Sequence, residues 1–150
     1  MYNVSLRIVN DETEAEDVMQ EAFLKALQKI NTYRGEVSFG AWLKKIVVNR
    51  SLDVLKKRKV IFEEINERKH DSEDYKMDVK EVNPEIIKKA INELPDGYRV
   101  VLSLYLIEGY DHEEISGILG ISNSASRTQY MRAKNKLRDI LRKKEIFSYN

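Results

Sequence analysis

The stretch DHEEISGILGISNSASRTQYMRAKNKLRDIL, residues 111 to 141, decides the fold that we predict for this chain. Asp111 and Glu114 have the spacing of a capping box, which predicts that a short helix begins here. Gly120 readily adopts a positive φ, so the chain can reverse after this helix. Ser122 is a favourable N-cap for a second helix. The stretch therefore predicts a helix-turn-helix.

The second helix of this motif is predicted to be amphipathic and cationic. Its apolar face carries Tyr130, Ala133, Leu137, Ile140 and Leu141. The basic side chains around the remaining surface are Arg127, Arg132, Lys134, Lys136 and Arg138. A compact corner that presents a cationic helix suits the major groove of DNA. We therefore expect this part of the chain to bind duplex DNA.

Composition narrows the class of protein further. The chain has 150 residues, 34% of them charged, with only six glycines and two prolines, which favours a helical protein. It has no cysteine, so disulfides and thiolate metal sites are excluded. We find neither a signal peptide nor an apolar run long enough to span a bilayer. We expect a cytoplasmic protein without membrane insertion, cofactor or metal.

Positive charge is concentrated in two blocks of the chain. Residues 32–59 carry a net charge of +6 and residues 115–150 also carry +6, whereas residues 60–84 carry −4. Two cationic blocks separated by an acidic one suggest two separate contacts with a polyanion.

The N-terminal unit is predicted to consist of helices. Thr13 and Glu16 have capping-box spacing. The apolar residues that follow at helical spacing are Ala15, Val18, Met19, Ala22, Phe23, Ala26, Leu27 and Ile30. A loop over residues 31–37 precedes Ser38, which is predicted to cap a further helix that ends in the basic run of residues 56–59. That helix is predicted to bury Phe39, Trp42, Leu43, Ile46 and Val47.

The C-terminal unit follows an acidic segment. Residues 60–83 lack a sustained apolar period and are predicted to be a flexible linker, with a helical stub near residues 61–65. Asn83 and Pro84 predict an N-cap and a first helical residue, and residues 95–97 are predicted to end that helix. A further helix closed by Gly109 precedes the helix-turn-helix. We predict an all-α fold of two small helical lobes, residues 1–59 and 84–150, the second a four-helix unit.

Two sets of residues resemble the sigma-70 family of RNA polymerase sigma factors, in particular its extracytoplasmic-function (ECF) group. The residues that resemble region 4 are Leu94, Pro95, Tyr98, Arg99, Val100, Val101, Leu102, Gly109, Tyr110, Glu114, Ile115, Ser116, Leu119, Gly120, Ile121, Ser122, Arg132, Ala133, Lys134 and Leu137. The residues that resemble region 2 are Ala15, Glu16, Asp17, Gln20, Glu21, Phe23, Tyr33, Arg34, Gly35, Phe39, Trp42, Leu43, Ile46, Asn49, Asp53 and Arg58.

The resemblance implies a function in promoter recognition and transcription initiation. Core RNA polymerase would be contacted through its β′ clamp helices and β flap, and the region 2 residues expected to bind it are Asp17, Met19, Gln20, Glu21 and Leu24. Free sigma factors of this kind are commonly held by an anti-sigma protein, so a partner of that kind is expected as well.

The resemblance also divides promoter recognition between the two lobes. Region 2 would read and open the −10 element with a flipped base, using stacking, polar and cationic side chains. The residues expected there are Tyr33, Arg34, Lys45, Asn49, Arg50 and Lys56, while Trp42 is expected mainly in the core. Region 4 would read the −35 element as duplex. The residues expected there are Ser124, Ala125, Arg127, Thr128, Met131, Arg132, Lys134 and Arg138.

Three features depart from the family pattern. Ser126 occupies a position that usually holds a valine, and Ser116 one where a small apolar residue is common. In either case the hydroxyl is expected to bond the carbonyl four residues earlier. The chain begins partway along the first region 2 helix, so we expect either an N-terminal truncation or a smaller surface for the polymerase.

Three other functions were weighed. A helix-turn-helix regulator that is not a sigma factor accounts for the C-terminal lobe but leaves the basic helix of residues 38–59 without a function. An enzyme is not expected, because the two histidines have no HExxH spacing and no phosphate-binding glycine loop is present. A structural adaptor accounts for the helices but not for the two cationic blocks.

Overall fold

The computed structural model describes the backbone of residues 1–58 and 83–148, with side chains as far as residue 144. The chain divides into two compact units, Met1–Ile61 and Phe62–Asn150. The described residues form helices and turns without a β-strand, so the all-α prediction is confirmed. The predicted linker and its helical stub fall almost wholly in residues 59–82, outside the described residues. Of the helices described, none has the length and apolarity needed to cross a bilayer.

In the N-terminal unit, described as far as residue 58, there are three α-helices. They are α1 (Tyr2–Val9), α2 (Glu12–Lys29) and α3 (Phe39–Lys57), with a short 3-10 turn, Ile30–Thr32, after α2. Asn10, at φ 53°, ends α1 in the left-handed conformation, and its N–H donates to the Leu6 carbonyl. Ser38 caps α3 by accepting a hydrogen bond from the Ala41 N–H at 3.1 Å, which confirms that prediction.

The start of α2 differs from the prediction. Asp11, not Thr13, is its N-cap, and the carboxylate accepts the N–H of Glu14 at 2.9 Å. An aspartate is at least as good an N-cap as threonine, and here it stands directly after the turn that ends α1. The helix therefore begins two residues before the position that the Thr13–Glu16 spacing indicated.

Small side chains of α2 form its buried face. That face consists of Ala15, Val18, Ala22 and Ala26, each at most 5% exposed. They pack against α1 and α3, whose buried apolar residues are Val4, Ile8, Val9, Leu43, Val47, Val48, Leu52 and Leu55. Phe23, Leu27 and Ile30, which share the helical spacing of the buried α2 residues, are 49%, 70% and 43% exposed and so lie outside the core. The alanines let the three helices approach closely, which leaves the larger side chains on the outer side of α2.

Polar contacts also join the helices of this unit. The hydroxyls of Ser5 and Ser51 lie 2.9 Å apart in the core, and Ser51 donates to the Val47 carbonyl at 2.7 Å. Arg58, just beyond α3, donates to the Val9 carbonyl at 2.8 Å and pairs with Glu14. The end of the predicted basic run is therefore partly structural.

Residues 83–148, the described part of the C-terminal unit, form four α-helices. They are α4 (Pro84–Asn92), α5 (Asp96–Leu102), α6 (His112–Leu119) and α7 (Asn123–Ser148), with a π-helical segment, Ser103–Ile107, continuing α5. The predicted cap of α4 is confirmed, since Asn83 accepts the Glu85 N–H at 3.0 Å. Asp96 and Gly97 belong to α5 rather than to a loop, because Pro95 serves as the N-cap of a new helix. The sequence analysis did not foresee the π-helical segment.

The apolar face of α7 completes the core of this unit. Ala133 is buried with Ile91, Leu94 and Leu102, and further hydrophobic residues pack against them: Ile87, Tyr98, Tyr130, Leu137 and Ile140. Leu141 is 3% exposed. The predicted apolar face of α7 is therefore confirmed.

Candidate nucleic-acid interface

The predicted helix-turn-helix is formed by α6 and α7. Asp111 accepts the Glu114 N–H at 2.7 Å, and the Glu114 carboxylate accepts the Asp111 N–H at 3.3 Å, so the capping box is complete. Gly120 ends α6 at φ 69°. Ser122 caps α7 by accepting the Ala125 N–H at 3.0 Å. Each of these local predictions is confirmed.

Most residues that were predicted to contact the −35 element are accessible. Ser124 and Arg127 are exposed, and the partly exposed members of the set are Thr128, Met131, Arg132, Lys134 and Arg138. Ala125 is only 7% exposed, so little of its methyl group is accessible, and its contact with the −35 element stays a prediction. It lies in the first turn of α7 on the side that packs within the unit. The remaining residues stay predictions as base or phosphate contacts.

Arg127 is oriented by a chain of side-chain hydrogen bonds that reaches from α6. Its Nε donates to Asn123 Oδ1 at 2.7 Å, and Asn123 Nδ2 donates to Glu113 Oε2 at 3.0 Å. The Nε contact leaves the terminal guanidinium nitrogens as the groups that can form a bidentate contact with guanine. The sequence analysis did not foresee Asn123 or Glu113, although both are polar residues of the helix-turn-helix.

The serines that depart from the family pattern both make specific hydrogen bonds. Ser126 is 0% exposed, and its Oγ lies 2.9 Å from His112 Nδ1. Ser116 donates to the Ile121 carbonyl at 2.6 Å across the turn. Each hydroxyl therefore has a hydrogen-bond partner across the corner between α6 and α7.

In the N-terminal unit, an aromatic cluster stands at the start of α3. Tyr33 and Trp42 have ring centroids 5.3 Å apart, and Phe39 lies 5.7 Å from Tyr33 and 5.6 Å from Trp42. The Tyr33 hydroxyl donates to the Val37 carbonyl, which closes the loop between them. Phe39 is 48% exposed, and Tyr33 and Trp42 are partly exposed. Phe39 was predicted to be a core residue, and that prediction is wrong.

Two lysines and an asparagine follow this cluster along one face of α3. Lys45, Asn49 and Lys56 are exposed, and their spacing of four and seven residues places them on one side of the helix. Arg34 is exposed in the loop that precedes α3. Aromatic faces followed by cationic and amide groups are the components that bind single-stranded DNA.

Arg50 is placed differently from the other residues predicted for the −10 element. Its guanidinium pairs with Glu21 of α2 and lies 3.6 Å from the Asp53 carboxylate. The hydrogen bond from Arg50 lowers the pKa of Glu21. The structure thus joins a residue predicted for DNA with one predicted for the polymerase, and it places Arg50 away from Lys45, Asn49 and Lys56.

The outer side of α2 presents an exposed apolar strip. Leu24 is 61% exposed, and Phe23 and Leu27 are 49% and 70% exposed. Gln20 and Asp17, also exposed, lie beside them, whereas Met19 is partly buried. We call Asp17, Gln20, Phe23, Leu24 and Leu27 the outer face of α2. An exposed apolar strip of this kind is typical of a protein-binding surface.

The two units match two families in the same order as in the sequence resemblance. Residues 1–60 match Sigma-70 region 2, and residues 85–137 match Sigma-70, region 4. The chain is 29% identical to the ECF RNA polymerase sigma factor SigE of Mycolicibacterium smegmatis over 95% of its own length and 58% of that protein. It is also 29% identical to the RNA polymerase sigma factor SigV of Bacillus subtilis, covering 97% of this chain and 86% of SigV.

Solved structures show the same fold. The sigma factor RpoE in complex with the anti-sigma factor NepR, from Bartonella quintana, gives a TM-score of 0.63 at 23% identity, covering 94% of this chain and 89% of RpoE. CnrH in complex with the cytosolic domain of CnrY gives a TM-score of 0.55 at 22% identity, covering 93% of this chain and 79% of the other. The chain belongs to the sigma-70 family of RNA polymerase sigma factors, in its ECF group.

Proposed function

We propose that this chain directs core RNA polymerase to specific promoters and starts transcription there. One observation supports this function above the others: two separately compact helical units, each with its own cationic helix, match regions 2 and 4 in the family's order. A regulator that is not a sigma factor has no use for the first of these units. The chain spans 58% of the length of SigE and 86% of SigV, so the activity of those proteins supports the proposal only by similarity.

In this proposal, residues 84–150 read the −35 element as duplex DNA. Arg127 reads a base through its terminal guanidinium nitrogens, and Ser124, Thr128 and Met131 lie close enough along α7 to contact neighbouring bases or the backbone. Arg132, Lys134 and Arg138 contact phosphates, which sets the position of α7 without reading sequence. The hydrogen-bonded orientation of Arg127 supports its assignment.

Residues 1–59 read and open the −10 element. Arg34, Lys45 and Lys56 bind phosphates, and Asn49 offers amide groups to a base edge. The exposed Phe39 and the partly exposed Tyr33 and Trp42 offer stacking faces, so Trp42 takes a larger part than its sequence pattern indicated. Arg50 stabilises the site through its ion pairs with Glu21 and Asp53 and does not itself contact DNA in this proposal.

The outer face of α2 binds the β′ clamp helices of the polymerase. Phe23, Leu24 and Leu27 supply apolar area, while Asp17 and Gln20 supply polar contacts beside it. Met19 and Glu21 lie at the margins of this face, and Glu21 acts chiefly on Arg50. Region 4 is proposed to contact the β flap, by similarity to the family alone.

An anti-sigma protein is proposed as a further partner. RpoE and CnrH, which share this fold, are each found in complex with another protein, an anti-sigma factor in the case of RpoE. When the polymerase is absent, the apolar strip on α2 is exposed to water, which favours binding of another protein there. A protein bound at this strip would compete with the polymerase. We propose that these exchanges take place in the cytoplasm, where the polymerase works, and that the chain's part in them is binding and not catalysis.

The decisive test is transcription in vitro with purified core polymerase. The protein is added to core polymerase with a pool of random promoter sequences, and the transcribed templates are sequenced. We expect enrichment of two sequence elements at fixed separation, and with Arg127→Ala the upstream element should lose its preference at one base pair. Transcription that occurs only with a holoenzyme already carrying another sigma factor would show that the chain is a regulator instead.

A further inference from the structure

The two helices of the helix-turn-helix are joined by a buried polar contact. His112 is the first residue of α6, and its Nδ1 lies 2.9 Å from the Oγ of Ser126 in α7. Ser126 is completely buried and lies on the same side of α7 as Tyr130 and Ala133, four and seven residues later. A valine at this position would fill the space but make no directional contact. The contact is therefore specific to the side chains of this chain.

Aromatic rings hold the histidine in place. The imidazole stacks on Tyr105 with ring centroids 4.4 Å apart and an angle of 18° between the planes. Its edge meets Tyr130 at 5.8 Å and 61°, and Tyr105 and Tyr130 are themselves 4.5 Å apart. His112 thus contacts α7 at two successive turns and rests on the π-helical segment behind it. A ring confined in this way has little freedom to take another rotamer.

We propose that His112 is a positioning residue for α7, the helix that reads the −35 element. Through its hydrogen bond with Ser126, His112 fixes the first turns of α7, and it does so only while the imidazole is neutral. The proposal rests on the proposed function, since it concerns how α7 is held for the −35 element. Ser126 stands between Ala125 and Arg127, so a shift at Ser126 moves the backbone that carries the base-reading side chain. A displacement of α7 by a fraction of an ångström weakens bidentate contacts, because these require both hydrogen bonds to be aligned.

The protonation state decides which hydrogen bond the pair makes. We assign to the neutral ring the tautomer in which Nε2 carries the proton, so that Nδ1 accepts the proton of the Ser126 hydroxyl. In the imidazolium, Nδ1 becomes a donor, so the hydroxyl must accept from it and turn its own proton elsewhere. The carbonyl of Ser122, one turn earlier, accepts the Ser126 N–H at 3.0 Å and keeps a second lone pair that can accept the turned hydroxyl. Protonation therefore rearranges the contact at the point where α7 is held.

The charged groups around the ring favour the neutral form. Partial burial and the positive charge of Arg127 lower the pKa of His112, and Asp111 opposes them with a smaller effect. The phenols of Tyr105 and Tyr130 also face the ring. Burial raises the pKa of Tyr130, so its phenol stays neutral, and Lys134 lies over the Tyr130 ring at 5.5 Å. His112 is thus neutral at neutral pH and takes up a proton only in acid.

The test uses the full chain assembled with core polymerase and two promoter templates. One template carries the selected −35 and −10 elements, and the other carries the same −10 element with the −35 element replaced. The ratio of the two affinities measures −35 reading, while the affinity for the second template reports on everything else. Both are measured at about pH 7.5 and about pH 5.5, on either side of the ordinary pKa of histidine.

Three variants separate the functions of the ring. His112→Phe keeps the aromatic stack but removes the hydrogen bond, and Ser126→Val removes the hydrogen bond from the other side. His112→Asn places an amide oxygen near the position of Nδ1, so it keeps an acceptor but cannot titrate. His70→Gln is the matched control, because His70 is the other histidine of the chain.

We expect His112→Phe and Ser126→Val each to lower the affinity ratio about five- to tenfold at the higher pH, as loss of a buried hydrogen bond does. The double variant should lose no more than the larger single loss. In the wild type and in His70→Gln the ratio should fall as the pH is lowered. In His112→Phe it should be low at both pH values, and in His112→Asn close to the wild-type value at both.

Several outcomes would overturn the proposal. They are equal losses on both templates, additive losses in the double variant, a pH dependence that survives His112→Phe, or one that disappears in His70→Gln. If His112→Phe does not fold, Ser126→Val and His112→Asn decide the same question. Failure of the proposed function looks different: the wild-type protein would then not assemble with core polymerase, or would show no preference for the −35 element at any pH.

Discussion

At the scale of single residues, Arg127 has the clearest functional geometry. Its Nε donates to Asn123, and the side chain is exposed. We expect Arg127→Ala to abolish preference at one base pair of the −35 element, a loss of about 1–3 kcal/mol. Arg127→Lys should lose most of that preference too, since an ammonium group cannot form the bidentate contact.

Competition between promoters with single base changes measures this effect. Asn123→Ala should reduce the same preference by a smaller factor and have no effect in the Arg127→Ala background. Lys136→Ala, an exposed basic residue of α7, is the control and should leave the preference unchanged. A loss of preference spread evenly over the whole element would contradict the assignment.

His112 also makes the stability of the C-terminal unit depend on pH. Its pKa is lowered in the folded state, so the unfolded chain takes up the proton first. The contribution is therefore complete above the unfolded pKa of about 6.5 and is lost as the pH falls below it. We expect urea unfolding to show a decline in free energy below that pH in the wild type. The decline should be smaller in His112→Phe and unchanged in His70→Gln.

Residue roles were predictable where one side chain acts on nearby backbone. Asp111, Gly120 and Ser122 do so, and their spacing alone identified them. The roles of Ala125 and Ser126 depend on which residues of α6 pack against them, and their positions in the sequence do not show this. Ala125 was assigned to DNA and is buried, while Ser126 departed from the family pattern and proves to have a specific partner.

At the scale of elements, two glycines of α6 make a matched pair. Gly117 lies within the helix, and Gly120 ends it at φ 69°, and a Cβ at either position meets open space. We expect Gly117→Ala to stabilise α6 by about 0.5–1 kcal/mol. Gly120→Ala should destabilise the turn by about 1–2 kcal/mol, because an L-residue is strained there.

Hydrogen exchange of the α6 amides measures both changes in the full chain. Gly120→Asn should cost less than Gly120→Ala, since asparagine tolerates the left-handed conformation better. Equal effects of alanine at the two positions would show that backbone conformation is not what selects glycine at residue 120.

The outer face of α2 is expected to bind polymerase as a unit. Leu24→Asp places a charge in the centre of the apolar strip and should weaken assembly with core polymerase more than about tenfold. Leu24 is 61% exposed, so the stability of the N-terminal unit should hardly change. Lys25→Ala, on the neighbouring exposed position, is the control for both measurements. Unchanged assembly of Leu24→Asp would place the polymerase elsewhere.

Element boundaries were predictable where the cap was unambiguous. Ser38, Asn83 and Asp111 each cap the helix they were expected to cap. The start of α2 was misplaced because Asp11 and Thr13 are both suitable caps, and only the turn after Asn10 selects the first. Periodicity did not show on which side of α2 Phe23 and Leu27 lie, since two adjacent apolar stripes on one helix look like a single wide one.

At the scale of the whole molecule, charge should govern the strength of promoter binding. Residues 32–59 and 115–150 each carry +6, although the net charge of the chain is only +1. Each phosphate contact removed should lower the slope of log affinity against log salt by about 0.7–0.9. The double variant Lys45→Ala, Lys56→Ala should lower this slope on any template with a −10 element. The double variant Arg132→Ala, Arg138→Ala should lower it only on templates with a −35 element.

Holoenzyme affinity measured over a salt series checks this division. Lys25→Ala with Lys29→Ala, both exposed on α2, is the matched control and should leave the slope unchanged. A change of slope on templates lacking the −35 element, caused by the α7 substitutions, would contradict the assignment of Arg132 and Arg138 to that element.

The all-α class, the two units and the helix-turn-helix can be derived from the sequence alone. These follow from local chemistry, since caps, glycine conformations and helical periodicity act within a few residues of one another. The two cationic blocks and the family resemblance can likewise be read along the chain.

Which face of each helix is buried against other helices can be seen only in the tertiary structure. In the folded chain the alanines of α2 are buried, while Phe23, Leu24 and Leu27 are exposed. Arg50 pairs with Glu21, and His112 contacts Ser126. Each of these outcomes depends on a side chain from another helix, far away in sequence. The physical reason is that burial and hydrogen bonding are properties of pairs, and the sequence of one helix does not specify what will pack against it.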